Sequence, residues 1–240
     1  MVRDTSNIPW SLSRPAPCRT TLPSVRDTAT SPRLKFCGLT DPADVAACVD
    51  AGAWAIGAIM TPHGPRALDP AGAQRVMAAV PPGVERVGVF VSPSAAEVAD
   101  AVARCALTRV QLHDTTDISA IAAAAGVPVT LSVRLDGPDA IDAANAADCD
   151  LVLFDAAVPG MHGGTGQRVD WNLLAAQRPS RAFGLAGGLT PAVVADAIRT
   201  VRPDFIDVSS GVESSPGRKD PALIAAFARA ARDAAMEVAA

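Results

Sequence analysis

From residue 33 onward the chain repeats one unit: a short β-branched or apolar run, then an alanine-rich segment with apolar residues at i, i+3 and i+4. The runs fall at 33–39 (RLKFCGL), 54–60 (WAIGAIM), 85–91 (ERVGVFV) and 109–113 (RVQLH). They continue at 128–135 (PVTLSVRL), 151–155 (LVLFD), 182–187 (AFGLAG) and 205–210 (FIDVSS). Between them lie helical stretches such as DPADVAACVDAG, DPAGAQRVMAAV, SAAEVADAVARC and PAVVADAIRTV. Asp41-Pro42, Asp69-Pro70, Thr190-Pro191 and Asp220-Pro221 repeat one start signal. In each, a side-chain oxygen stands at the N-cap and a proline at the first helical position.

Strands that alternate with helices pair in parallel through right-handed crossovers. Eight such units in about 200 residues are the content of a single-domain (β/α)₈ TIM barrel, spanning 33–235. A doubly wound sheet would have fewer units and a glycine-rich first turn, whereas the first turn here is Cys-Gly-Leu-Thr. The low aromatic content, 4% with no tyrosine, suits a barrel interior filled by branched aliphatics. Residues 1–32 are rich in Pro, Ser, Thr and Arg and lack the apolar core of a secretory signal. Their composition predicts a disordered extension, and Cys18 lies in it.

A net charge of -4 and a pI near 5.3 argue against a nucleic-acid or membrane-surface partner. No apolar run approaches the roughly 18 residues of a membrane span. Cysteines 18, 37, 48, 105 and 149 are odd in number and show no CxxC spacing. They read as reduced thiols of a cytoplasmic protein rather than a disulfide frame or zinc site. Histidines 63, 113 and 162 form no ligand motif, so no metal is expected.

In a TIM barrel the strand C-termini and the loops after them form the active face. Here those ends carry Cys37, the loop 61–66 (TPHGPR), His113, Asp155, Gly187-Gly188 and Ser209, Ser210 and Gly211. AGGLTP (186–191) and SSGVESSPG (209–217) follow strands seven and eight, where this fold cradles phosphate on backbone N–H groups. Cys37 on strand one and Asp155 on strand six would then face each other across the mouth with the cradle between them. A thiol opposite a carboxyl is an acid/base pair able to work on two ends of a sugar phosphate. Cys48, Cys105 and Cys149 read instead as packed apolar thiols.

These residues resemble the phosphoribosylanthranilate isomerase family of tryptophan biosynthesis. The resemblance rests on KFCGLT (35–40), GPRALDP (64–70), RVGVFV (86–91), VQLH (110–113), GGTGQRVDW (163–171), AGGLTP (186–191) and DVSSGVESSPGRKDP (207–221). It covers residues 33–232 and implies an Amadori rearrangement of a small phosphorylated substrate, without cofactor, by a monomer or homodimer. It further implies Cys37 as general base and Asp155 as general acid. Arg66 matches the arginine that pairs with the anthranilate carboxylate, a task suited to a guanidinium fork. His113 and Asp207 match positions near the substrate. A free thiol has a pKa of about 8.5, so Cys37 needs positive potential beside it. Lys35, two residues earlier on the same strand face, is a candidate source, or else it pairs with a barrel carboxylate.

Four positions depart from the family pattern: Gly64 where serine is usual, Asp114 in place of glycine, Ala156 after the strand-six aspartate, and TLSVRL without a lysine. Asp114 puts a charge near the mouth. Two rival readings remain at this level. One is an aminoaldose isomerase of histidine biosynthesis, or one of dual specificity, whose chemistry uses two carboxylates. The other is a barrel that binds a sugar phosphate without catalysis.

Overall fold

The computed structural model describes residues 31–156 and 170–239. Residues 1–30, with Cys18, lie outside the described residues. So do 157–169, which hold His162 and all but the last two residues of the GGTGQRVDW motif.

Eight parallel strands close a barrel in sequence order. They are β1 (Arg33–Phe36), β2 (Ala53–Ile59), β3 (Glu85–Val91), β4 (Arg109–His113), β5 (Val129–Leu135), β6 (Leu151–Ala156), β7 (Phe183–Leu185) and β8 (Phe205–Val208). Closure comes from β1, which pairs with β2 on one side and β8 on the other. The helices between strands are α1 (Ala43–Asp50), α2 (Pro70–Ala78), α3 (Ala95–Cys105), α4 (Ile118–Ala125), α5 (Pro138–Ala146), α6 (Trp171–Ala176) and α7 (Val194–Val201). The chain ends in α8 (Pro221–Ala239), packed on α7 and α1.

Local chemistry accounts for the helix starts. Asp69 caps α2 by accepting from the Gly72 amide with Pro70 at the first helical position. Ser94 and Glu97 form a reciprocal capping box on α3. Asp170 accepts from the Asn172 and Leu173 amides to open α6. Thr190-Pro191 behaves differently from the expectation. It opens a turn in which the Thr190 carbonyl accepts from Val193 and Val194, so α7 begins only at Val194.

Strand alternation sends one set of side chains outward to the helices and the other into the barrel. Leu34, Phe36, Ile206 and Val208 join the large core under the helices, where the Phe36 and Phe227 rings meet edge-on at 6.2 Å. Truncating either fully buried ring would cost about 3–5 kcal/mol. Inside the barrel the lower end is filled by Trp54, its ring 5.5 Å from Phe205 and beneath the Arg33 guanidinium at 4.0 Å.

Strands one, seven and eight stop sooner than their apolar runs. The residues after them leave the extended conformation, with positive φ at Gly38 (69°), Gly187 (84°) and Gly188 (64°). The chain end of β1 is still tied down: the Cys37 amide donates to Val208 and that of Leu39 to Gly57. A short hairpin that the sequence pattern did not announce, β9 (Glu213–Ser215) with β10 (Arg218–Lys219), follows a single 3₁₀ turn, Ser210–Val212.

Candidate active site

A cavity of about 560 Å³ opens at the C-terminal ends of the strands, within the usual size of a small-molecule site. Cys37, Arg66, His113 and Asp155 line it, as do Gly187, Gly188, Asp207, Ser209 and Ser210. Of the residues expected at the mouth only Gly211 does not. A Cβ there would lie 1.8 Å from the Leu189 carbonyl oxygen. Gly211 therefore lets the turn after β8 cross closely over the loop after β7.

Cys37 and Asp155 end β1 and β6, which are separated by β7 and β8 in the closed order, so the cradle loops stand between them. Below Cys37 lies an ion pair: Lys35 Nζ donates to Asp207 Oδ2 at 2.8 Å, with both residues buried. Strand register sets this pairing, because Lys35 and Asp207 are direct partners across β1 and β8. The Lys35 ammonium also lies close enough to the Cys37 thiol to act on it electrostatically, so it serves both of the roles considered for it. Burial pushes the thiol above its ordinary value, while the Lys35 ammonium pulls the other way. Burial alone would favour neutral Lys35, but Asp207 and Cys37 hold the ammonium above its usual range.

Arg66 comes from the loop after β2 and is clamped from below. Its Nε donates to Glu213 Oε1 at 2.8 Å and its Nη2 to Glu213 Oε2 at 2.7 Å. The fully buried Lys219 ammonium donates to the same carboxylate at 2.8 Å and to the Ser209 carbonyl at 3.0 Å. The hydrogen bonds that Arg66 donates to Glu213 hold its guanidinium above its ordinary value. Glu213 and Lys219 were not among the expected site residues. Both lie within the DVSSGVESSPGRKDP motif, but nothing in its pattern marks these two charges as partners of Arg66.

The opposite wall is polar. Gln111 Nε2 lies 3.0 Å from His113 Nε2 and donates to Ser132 Oγ at 3.1 Å, and Ser132 Oγ lies 3.1 Å from the same imidazole nitrogen. Arg134 stands in register with Asp155 on the neighbouring strand. Asp114, the charge noted near the mouth, does not line the cavity and sits 3.7 Å from the Arg134 guanidinium. Its φ of 47° is left-handed, which is the reason a glycine suits this position.

Three buried polar atoms of lining residues have no hydrogen-bond partner among the described residues: Gln111 Oε1, Asp207 Oδ1 and Ser209 Oγ. The amides of Gly187, Gly188 and Ser209 likewise donate to no backbone carbonyl among the described residues. Buried polar atoms such as these three are normally satisfied, so the cavity is built to receive a polar ligand.

Residues 34–230 match the family model described as N-(5'phosphoribosyl)anthranilate (PRA) isomerase. The N-(5'-phosphoribosyl)anthranilate isomerase of Neisseria meningitidis is 42% identical over 199 residues, which is 81% of this chain and 94% of that protein. The crystal structure of phosphoribosyl anthranilate isomerase from Thermotoga maritima aligns with a TM-score of 0.76 at 34% identity, covering 84% of this chain and 99% of that one. A second solved structure, of the isomerase in complex with reduced 1-(o-carboxyphenylamino)-1-deoxyribulose 5-phosphate, aligns with a TM-score of 0.73 at 32% identity. It covers 84% of this chain and 99% of that chain.

Proposed function

This chain belongs to the N-(5'-phosphoribosyl)anthranilate isomerase family, and from that premise we propose the part each mouth residue plays. The reaction is the Amadori rearrangement of N-(5-phosphoribosyl)anthranilate to 1-(2-carboxyphenylamino)-1-deoxyribulose 5-phosphate, a step of tryptophan biosynthesis. One observation carries the assignment of roles. Cys37 and Asp155 line a single cavity from opposite sides of the loops that present unpaired amides.

The phosphate rests on the Gly187, Gly188 and Ser209 amides, with the unpartnered Ser209 hydroxyl as a further donor. Anchored there, the ribose lies across the mouth between Cys37 and Asp155. Asp155 donates its proton to the furanose ring oxygen, the ring C–O bond breaks, and the nitrogen lone pair completes a Schiff base. Cys37, as thiolate, takes the proton from C2 of the ribose, and the electron pair moves to give the enolamine. Tautomerisation of the enolamine yields the ketone. Each step shifts electron pairs within the substrate and exchanges protons with Asp155 or Cys37, so the scheme needs no cofactor.

Arg66 meets the anthranilate carboxylate. The Glu213 clamp occupies its Nε and Nη2, leaving Nη1 for the ligand. His113 and Asp207 lie beside the sugar. We assign the catalytic barrel to residues 33–235 and place the protein in the cytoplasm. The Thermotoga maritima relative is dimeric, and for this chain sedimentation separates a monomer from a homodimer.

The test is the decay of anthranilate fluorescence when purified protein is mixed with freshly made substrate. Wild-type protein should consume it, and Cys37→Ala should lose about 10²–10⁴-fold in kcat, the usual contribution of a proton-transfer group. Cys48→Ala, in the core under the helices, should alter stability more than rate. Turnover near wild type in Cys37→Ala would end the base assignment.

A further inference from the structure

Lys35 and Cys37 stand two residues apart on one strand end, and the structure brings their polar atoms to a single point. That point is marked by Gly57 on β2. A Cβ built there would lie 2.9 Å from Cys37 Sγ and 3.2 Å from Lys35 Nζ. Gly57 is not among the positive-φ glycines, so its backbone does not require glycine; the space does. The missing side chain leaves the gap that thiol and ammonium both border.

Other charges also face this thiol. Arg66 and Lys219 add positive potential from the loop after β2 and from β10, each partly neutralised by Glu213 on β9. Asp207 on β8 adds negative charge, and Asp155 on β6 and His113 on β4 share the cavity wall. Among these cations Lys35 acts most strongly on the thiol, and it shares with it the space over Gly57. It is 2% exposed, and its ammonium donates to Asp207 Oδ2 at 2.8 Å.

We propose that Lys35 is a positioning residue for the base: its buried ammonium, held by Asp207, is the counter-ion against which the Cys37 thiolate forms, and Gly57 is the glycine that leaves room for the two to approach. This rests on the reading of Cys37 as the base. In the resting site the ammonium is bonded to the Asp207 carboxylate and borders the same gap as the thiol. When the thiol loses its proton, the ammonium lies between two anions, and Asp207 becomes a competitor for it. Asp207 therefore has two opposed effects, keeping Lys35 charged and limiting how far that charge favours the thiolate.

The opposition supplies the test. The rate of iodoacetamide alkylation at Cys37, located by peptide mass, is measured against pH in full-length protein. Cys48, pushed up to about 12 by burial, stays unreactive in the working range. In Lys35→Met the midpoint should rise by about one to three pH units, the usual effect of an opposite charge within 4–6 Å. In Asp207→Asn it should fall, because Lys35 loses its other partner. Gly57→Ala should raise it without changing any charge, by placing a methyl between Sγ and Nζ.

Simple loosening of a buried ion pair would shift Lys35→Met and Asp207→Asn in the same direction, and that result would overturn the proposal. An unmoved midpoint in folded Lys35→Met would do the same. If Lys35→Met does not fold, the double variant Lys35→Met/Asp207→Asn leaves no unpaired buried charge and should still show a raised midpoint. An unmoved one there rejects the proposal equally. Alkylation reads the thiol and not turnover. Retained turnover in Cys37→Ala would therefore remove the base reading, while these shifts report separately on the Lys35 contact.

Discussion

Arg66 and Glu213 lie side by side as a two-pronged ion pair, Nε to Oε1 at 2.8 Å and Nη2 to Oε2 at 2.7 Å, although 147 residues separate them. The carboxylate is 4% exposed and is braced again by Lys219. A guanidinium held at two nitrogens keeps one orientation toward the cavity, so less order must be imposed when a ligand carboxylate arrives. Arg66→Lys cannot span both oxygens and leave a donor for substrate. It should raise KM about tenfold to a hundredfold, from the roughly 1.5–3 kcal/mol of a hydrogen bond to a charged group, with a smaller change in kcat. Glu213→Gln should move KM in the same direction by less. Steady-state kinetics on the fluorescent substrate checks both.

The same pair sets an acid limit on stability. Burial alone would raise the Glu213 carboxyl, but the hydrogen bonds from Arg66 and Lys219 outweigh it and hold it below its usual 4.5. A folded-state value below the unfolded one contributes stability that is present above the unfolded pKa and is lost as pH falls through the folded value. Thermal unfolding followed from about pH 5.5 down to about pH 3 should show the melting temperature of wild type falling more steeply than that of Glu213→Gln. Parallel curves would remove Glu213 from the account.

Inorganic phosphate should compete with substrate, because the cradle amides have no partner of their own among the described residues. Ser209→Ala deletes a hydroxyl that is buried but bonded to nothing among the described residues. It should cost little stability, and the unfolding midpoint should stay within about 1 kcal/mol of wild type. Phosphate inhibition should weaken several-fold. A sulfate soak should place the anion at Gly187, Gly188 and Ser209, and an anion found only elsewhere in the mouth would contradict the cradle.

Asp155→Asn separates binding from proton transfer. The amide keeps the shape and a hydrogen-bond donor but cannot surrender a proton to a leaving oxygen. The variant should bind a reduced product analogue about as well as wild type while losing some 10²–10⁴-fold in kcat. Calorimetric titration together with single-turnover fluorescence measures the two. Turnover within a few-fold of wild type would mean that the proton comes from another group.

Much of this was legible along the chain. Asp69-Pro70 and the Ser94–Glu97 box mark helix starts, because caps act within one turn. Cys37, His113, Asp155 and Ser209 end or follow apolar runs, so the barrel rule alone puts them at one face. Thr190-Pro191 misled by three residues, since nothing local distinguishes a cap from a turn that precedes one. The Glu213 hairpin was also illegible: three residues facing two are too short to show a strand period.

The repeat of strand and helix, the barrel it implies and the residue types at its mouth were determined by the sequence itself, because they depend on neighbours a few positions apart. Which charges meet was decided only by the tertiary structure. Lys35 reaches Asp207 across 172 residues, and Arg66 reaches Glu213 across 147. Gly57 acquires its meaning from a thiol and an ammonium on the adjacent strand. Closing the barrel brings β8 beside β1 in one register, and that register sets Asp207 opposite Lys35 beneath the thiol. A side chain's partner across a sheet depends on how the strands align, and that alignment is a property of the whole closed barrel rather than of any one segment.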